Sequence, residues 1–159
     1  MSMGDRLKWL PLVKDRSNRY GIDCKMLDAI IQVESNYDIY AMRFESKMKS
    51  SVIAANFAKM NSVTTATEEI LEKFSWGLCQ IMGSTARWMG FQGPMPLLCD
   101  PDVNVNLGAK YLARLKEQHG VSDAIISAYN AGSIRRLTDG KFKNQAYVDK
   151  VLIAMQKIC

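Results

Sequence analysis

Ala29-Ile-Ile-Gln-Val-Glu-Ser-Asn36 sets a single carboxylate, Glu34, inside an oily run. Asp23, with its short side-chain acceptor, suits the cap of a helix that continues through about Ser35. At roughly 100° per residue, Met26, Leu27, Ile30 and Ile31 form one apolar stripe, and Glu34 falls near its middle. Asp28, Gln32 and Asn36 fall on the opposite side, so solvated places for an ordinary surface Glu exist on the same helix. A carboxyl group held against apolar side chains loses hydration of its charged form, and its pKa rises. Such a group can donate a proton near neutral pH, as a general acid must. The helix alone leaves two readings open: that acid, or a buried Glu paired with a Lys or Arg.

Outward from this helix the chain reads as almost entirely helical, with weak strand-type alternation and no internal repeat or long linker. A first helix is expected from about Pro11, a favourable first-turn residue, to Arg19, with Gly21 ending it. Beyond Asp38 the pattern is less regular, with helices around Val52–Met60 and from Thr67-Glu68-Glu69, where acid in the first turn suits the helix dipole. Ser75 to Gly83 reads as a turn feeding a short helix from Ser84 to about Met89, followed by a Gly/Pro loop over 90–99. Asp100-Pro101 starts a helix to His119 that turns Val103, Leu107, Tyr111, Leu112 and Leu115 inward, and Gly120 stops it. Ser122 caps a further helix to Ala131, closed by Gly132. Asn144 caps a last one carrying Tyr147, Val148, Val151, Leu152 and Met155.

The 159 residues, 48% hydrophobic and 23% charged, fit one domain over 1–159 with a core large enough to need no staples. The net charge of +5 and pI near 9.0 favour an anionic partner: nucleic acid, membrane surface or bacterial wall. The basic residues are scattered, with no basic arm and no recognition-helix motif, which argues against nucleic acid. Cys24, Cys79, Cys99 and Cys159 form no CxxC pair and, with the lone His119, no metal-ligand spacing, so buried thiols and no metal are expected. The apolar stretch Leu7-Lys-Trp-Leu10 is too short for a signal peptide or a membrane span. Either the chain is not exported by a cleaved signal, or a leader has been removed.

Four segments carry more than core: Glu34-Ser35; Gly77-Leu-Cys-Gln80 after Trp76; Ala128-Tyr-Asn-Ala-Gly132; and Tyr147. Each alone recurs by chance. In this order, with an Asp-Pro-started helix between the second and third, they resemble the soluble lytic transglycosylase (SLT) domain, related to goose-type lysozymes, from about Pro11 to the last helix. The resemblance implies an all-α, lysozyme-like fold with a groove for a glycan strand, and cleavage of the MurNAc-β-1,4-GlcNAc bond of peptidoglycan without a cofactor. It implies that Glu34 is the catalytic acid/base and that Ser35 fixes the geometry beside it. By the same resemblance Gln80 is expected on the groove wall, Tyr129 and Asn130 are expected to hold the acetamido sugar, and the Tyr147 hydroxyl is expected to orient Glu34. Cys79 departs from the larger residue common there and is expected to alter groove packing. The Met- and Lys-rich stretch 40–73 has the least predictable contacts.

Ordinary glycosidases use two carboxylates, and no obvious second one accompanies Glu34 here. Asp38, Asp100 and Asp102 read as solvated or capping, His119 as a dipole partner, and Trp76 and Trp88 as core ahead of the alternative that they stack on sugar rings. A lone acid works if the sugar's acetamido oxygen stabilises the oxocarbenium-like centre and its C6 hydroxyl attacks, giving a 1,6-anhydro end. The rival is a lysozyme-type hydrolase on the same fold, which would need a groove aspartate to activate water. A third reading is a non-catalytic glycan-binding protein. The expected partner is the glycan strand, met by a monomer without membrane insertion. The expected location is the producing cell's cytoplasm before release, or a virion or secretion apparatus, with action on the periplasmic wall.

Overall fold

The computed structural model describes residues 3–120 and 122–157, so Cys159 lies outside the described residues. Eight helices are described: α1 (Met3–Tyr20), α2 (Cys24–Ser35), α3 (Ala54–Met60), α4 (Thr65–Leu71), α5 (Gly83–Trp88), α6 (Pro101–His119), α7 (Ser122–Ala131) and α8 (Gln145–Lys157). A 3-10 turn, Met95–Cys99, sits inside the expected loop. The chain also forms a small antiparallel sheet, β1 (Met42–Phe44), β2 (Phe74–Trp76) and β3 (Ile81–Met82), in the order β1-β2-β3. Strands of two or three residues are too short to show a period, which is why alternation was weak in the sequence.

Helix α6 runs through the middle and packs against α1, α7 and α2, while α8 lies along α2. The core is the apolar faces of these five helices: Leu27, Ala29, Ile30 and Ile31 of α2, Val105, Ala109 and Leu112 of α6, and Val148 and Val151 of α8 are sealed from solvent. The expected caps at Asp23 and Asp100 form, accepting from the Lys25 amide (2.8 Å) and the Val103 amide (3.1 Å). Among the described residues no helix is long and apolar enough to cross a membrane.

Three expectations fail for identifiable reasons. Helix α1 begins well before Pro11, which lies inside it. Trp9 and Leu12 dock on the core and Arg6 reaches α2, and these contacts outweigh the single hydrogen bond a proline forfeits. That longer α1 also buries Asp28, expected in water. Its carboxylate accepts from Arg6 Nε (2.8 Å) and from the Tyr37 hydroxyl (2.8 Å), which satisfy the charge. Trp88 is not core: it is 55% exposed, whereas Trp76 is buried as expected.

Candidate active site

Helix α2 ends immediately after the carboxylate of interest because Asn36 adopts a left-handed conformation (φ 52°), a state Asn tolerates, and its amide bonds back to Gln32 O. Glu34 thus stands at the open end of the helix. The Tyr147 hydroxyl, carried by the first turn of α8, donates to Glu34 Oε1 at 2.6 Å. Ser35 Oγ, one residue on, lies 2.8 Å from Leu78 O and 3.1 Å from Ile31 O, so it fastens the β2–β3 turn to α2.

That turn is over-determined. Gly77 has φ +65°, and a Cβ there would lie 2.6 Å from Leu98 O, so only glycine fits. The fully buried Asn104 of α6 donates to Trp76 O (2.8 Å) and Leu98 O (2.7 Å) and accepts from the Cys79 amide (2.7 Å). Tyr129 of α7 donates its hydroxyl to Cys79 O (2.7 Å). Gln80, also left-handed (φ 47°), donates to Ala41 O and Gly77 O (both 2.9 Å) and accepts from Ser75 Oγ (2.8 Å). Three helices and a strand therefore hold one four-residue turn against the acid.

In front of Glu34 opens a cavity of about 350 Å³ lined by Gln80, Tyr111, Tyr129 and Asn130, with Arg43, Glu45 and Met48 from the 40–73 stretch. Burial pushes the Glu34 carboxyl above the usual carboxylate range, and the negative charge of Glu45 adds to this. The Tyr147 hydrogen bond and the Arg43 charge pull the other way. Burial, then the neighbouring Glu34 charge and bond, push Tyr147 well above the ordinary phenol range, so its hydroxyl stays a donor. Asn144 Nδ2 donates to Asn130 Oδ1 and to Ser127 O (3.0 Å each), which fixes the Asn130 amide at the cavity rim.

A family profile described as "Transglycosylase SLT domain" matches residues 11–149, most of the chain. The chain belongs to the transglycosylase SLT domain family. A membrane-bound lytic murein transglycosylase C from Pectobacterium atrosepticum is 30% identical over 140 residues, covering 82% of this chain and 33% of that protein. The protein of the same name from Haemophilus ducreyi is 28% identical over 141 residues, 79% of this chain and 31% of its own. The chain thus spans about a third of the curated relatives it matches. Among solved structures, an inactive mutant of the lytic transglycosylase Slt from Pseudomonas aeruginosa superposes with a TM-score of 0.57 at 24% identity, over 92% of this chain and 24% of that one. That likeness supports the lysozyme-like, mainly helical fold.

The SLT domain brings Glu34, Ser35, Gln80, Tyr129, Asn130 and Tyr147 to one place, Tyr129 in a different role from the one expected. The Tyr129 hydroxyl is committed to Cys79 O, leaving its ring to line the cavity. The Gln80 amide is spent on stitching its own turn as it lines the wall. Cys79 does not touch the groove. It is fully buried and points at α6, where a Cβ on Gly108 would come within 2.6 Å of its sulfur. Asn144 spends its side chain on α7 rather than on the first amides of α8. Sequence reasoning missed Asn104, whose signal was a polar residue on the inward face of α6. It also missed Glu45, which places a second carboxylate on the cavity wall.

Proposed function

We propose that this SLT domain is a peptidoglycan lytic transglycosylase that cleaves the MurNAc-β-1,4-GlcNAc bond with Glu34 as sole acid and base. The reading rests on one observation: a desolvated carboxyl, fixed by Tyr147, faces a cavity walled by aromatic and amide side chains. Glu34 protonates the glycosidic oxygen as the C1–O bond breaks, and the muramyl acetamido oxygen stabilises the positive charge at C1. The resulting Glu34 carboxylate takes the proton of the C6 hydroxyl as O6 bonds to C1. The product carries a 1,6-anhydro end, no water is consumed, and Glu34 regains its proton. Tyr147 holds the carboxyl in the reactive rotamer and Asn130 positions the acetamido group, the kind of positioning worth several kcal/mol. One domain, acting as a monomer and released by cell lysis or carried on a virion or secretion apparatus, completes the proposal.

Product analysis tests it. Purified cell walls digested by the enzyme should release muropeptides with 1,6-anhydro ends, and reducing ends alone would overturn the transglycosylase reading. Glu34→Gln should lower turnover about a thousandfold or more, as removal of an essential acid does. A hydrolase is the second reading, favoured by Glu45 on the facing wall of the same cavity, because a carboxylate there could deprotonate an attacking water.

A further inference from the structure

Trp88 has no assigned task. It is 55% exposed on α5, and an indole in water forgoes a large apolar burial. Its surroundings are ordered. On α5, Thr85 lines the cavity and Trp88 follows three residues later on the same face. On α6, Tyr111 lines the cavity and Arg114 follows by the same step. The two outer residues meet: the Arg114 guanidinium lies 4.0 Å over the Trp88 ring, and Tyr111 meets that ring edge-on at 6.4 Å. Tyr111 in turn leans on Tyr129 at 5.4 Å. Three aromatic rings therefore lead from the wall beside Glu34 outward over the rim.

We propose that Trp88 is the stacking platform of an additional pyranose subsite, outside the cavity, for a glycan strand longer than the cavity holds. The inference rests on the glycan-cleaving reading and adds a place for the chain's distal part. At about 350 Å³ the cavity is near the lower end of ordinary ligand pockets, about 300–1,000 Å³, and a polysaccharide must continue beyond it. Arg114 covers one face of the indole, so the exposure of Trp88 belongs to the opposite face and the free edges. That flat surface matches the C–H face of a pyranose. The charged neighbours Arg114 and Lys110, the latter bonded to Met89 O at 2.9 Å, suit a hydroxylated, anionic strand better than an apolar protein face.

The experiment compares muramyl glycans of two lengths, a tetrasaccharide and an octasaccharide, as substrates of wild type, Trp88→Ala and Trp88→Phe. Trp88→Ala should lower kcat/KM on the octasaccharide on the order of tenfold, mostly through KM, and on the tetrasaccharide less than twofold, with Phe restoring part of the loss. A parallel titration follows tryptophan emission in the Glu34→Gln protein. The octasaccharide should shift it, and adding Trp88→Phe should abolish the shift. Equal losses on both lengths would overturn the subsite in favour of a structural role, and no loss on either would assign the ring to another surface. If wild type cleaves neither glycan, the catalytic reading has failed, and the emission titration alone then decides the subsite.

Discussion

The cavity has two walls of different construction. The wall that carries Glu34 is helix against helix: α2 is sealed by α8 and α6, with Leu27, Ala29, Ile30 and Ile31 fully buried. The facing wall, which supplies Arg43, Glu45 and Met48, belongs to the 40–73 stretch, where Tyr40, Met42, Phe44, Met48 and Ile53 are exposed. That stretch is held by polar anchors. The buried Glu72 carboxylate accepts from the Ser51 hydroxyl (2.8 Å) and the Ser51 amide, and buried Glu68 pairs with Arg87 Nε at 2.7 Å. Arg87 also donates to Phe91 O (2.9 Å) and Gly93 O (2.8 Å). The difference teaches that the helix bearing the acid is placed by non-directional packing, with Tyr147 then orienting the carboxyl, whereas the wall opposite leans on a few directional bonds.

The largest expected effect tests those bonds. Glu68→Gln leaves the Arg87 cation buried without its counter-charge and should cost about 3 kcal/mol in urea unfolding, the scale for breaking a buried pair. Leu27→Ala on the other wall should cost a similar amount by leaving a cavity. Only the first loss should be recovered when the partner is also made neutral, as in Glu68→Gln with Arg87→Met. A loss below about 1 kcal/mol for Glu68→Gln would mean that the segment is held some other way.

The same contrast decides what could be read in advance. A packed helix announces itself by a period, and α2, α6 and α8 were legible because Ile30, Leu112 and Val151 each fall on such a stripe, while α7 was legible from Ser122 at its start and Gly132 at its end. Directional anchors have no period. Glu68 read as a first-turn residue suited to the helix dipole, and nothing in the sequence pointed to Arg87, nineteen residues away. Asp28 read as solvated because its partner Arg6 lies in a turn of helix that Pro11 was expected to exclude. The candidate site was legible wherever it followed a motif, from Glu34 to Tyr147. It was hidden where β1, too short to show alternation, carries Arg43 and leads to Glu45 on the opposite wall.

On the Glu34 wall, Tyr147→Phe removes one hydroxyl and should lower kcat/KM roughly thirtyfold, about 2 kcal/mol, through loss of the fixed rotamer. The pH profile separates this from simple damage. The Tyr147 bond favours the Glu34 carboxylate, so its removal raises the pKa further. Glu34 must be protonated to act as the acid, and the alkaline limb of kcat/KM should therefore move to higher pH. A lower rate with an unmoved limb would detach Tyr147 from Glu34's ionisation.

The smallest effect comes from the facing wall and has the opposite sign. Glu45 raises the Glu34 pKa by its charge, so Glu45→Gln lowers that pKa, leaves less of the acid protonated, and should move the alkaline limb to lower pH. The same change frees Arg43, whose cation lies 2.5 Å from Glu45 and pulls Glu34 in the same direction. Both partners are partly solvated, so screening limits the effect on kcat/KM near neutrality to a few-fold, about 1 kcal/mol. The products of this variant carry a second piece of information. If Glu34 works alone, the 1,6-anhydro ends persist in unchanged proportion while the limb shifts. If Glu45 activates water, any reducing ends made by the wild type disappear from the variant's products. Opposite limb shifts for Tyr147→Phe and Glu45→Gln, with a constant product, would establish that the packed wall performs the chemistry and the anchored wall only sets the field in which it happens.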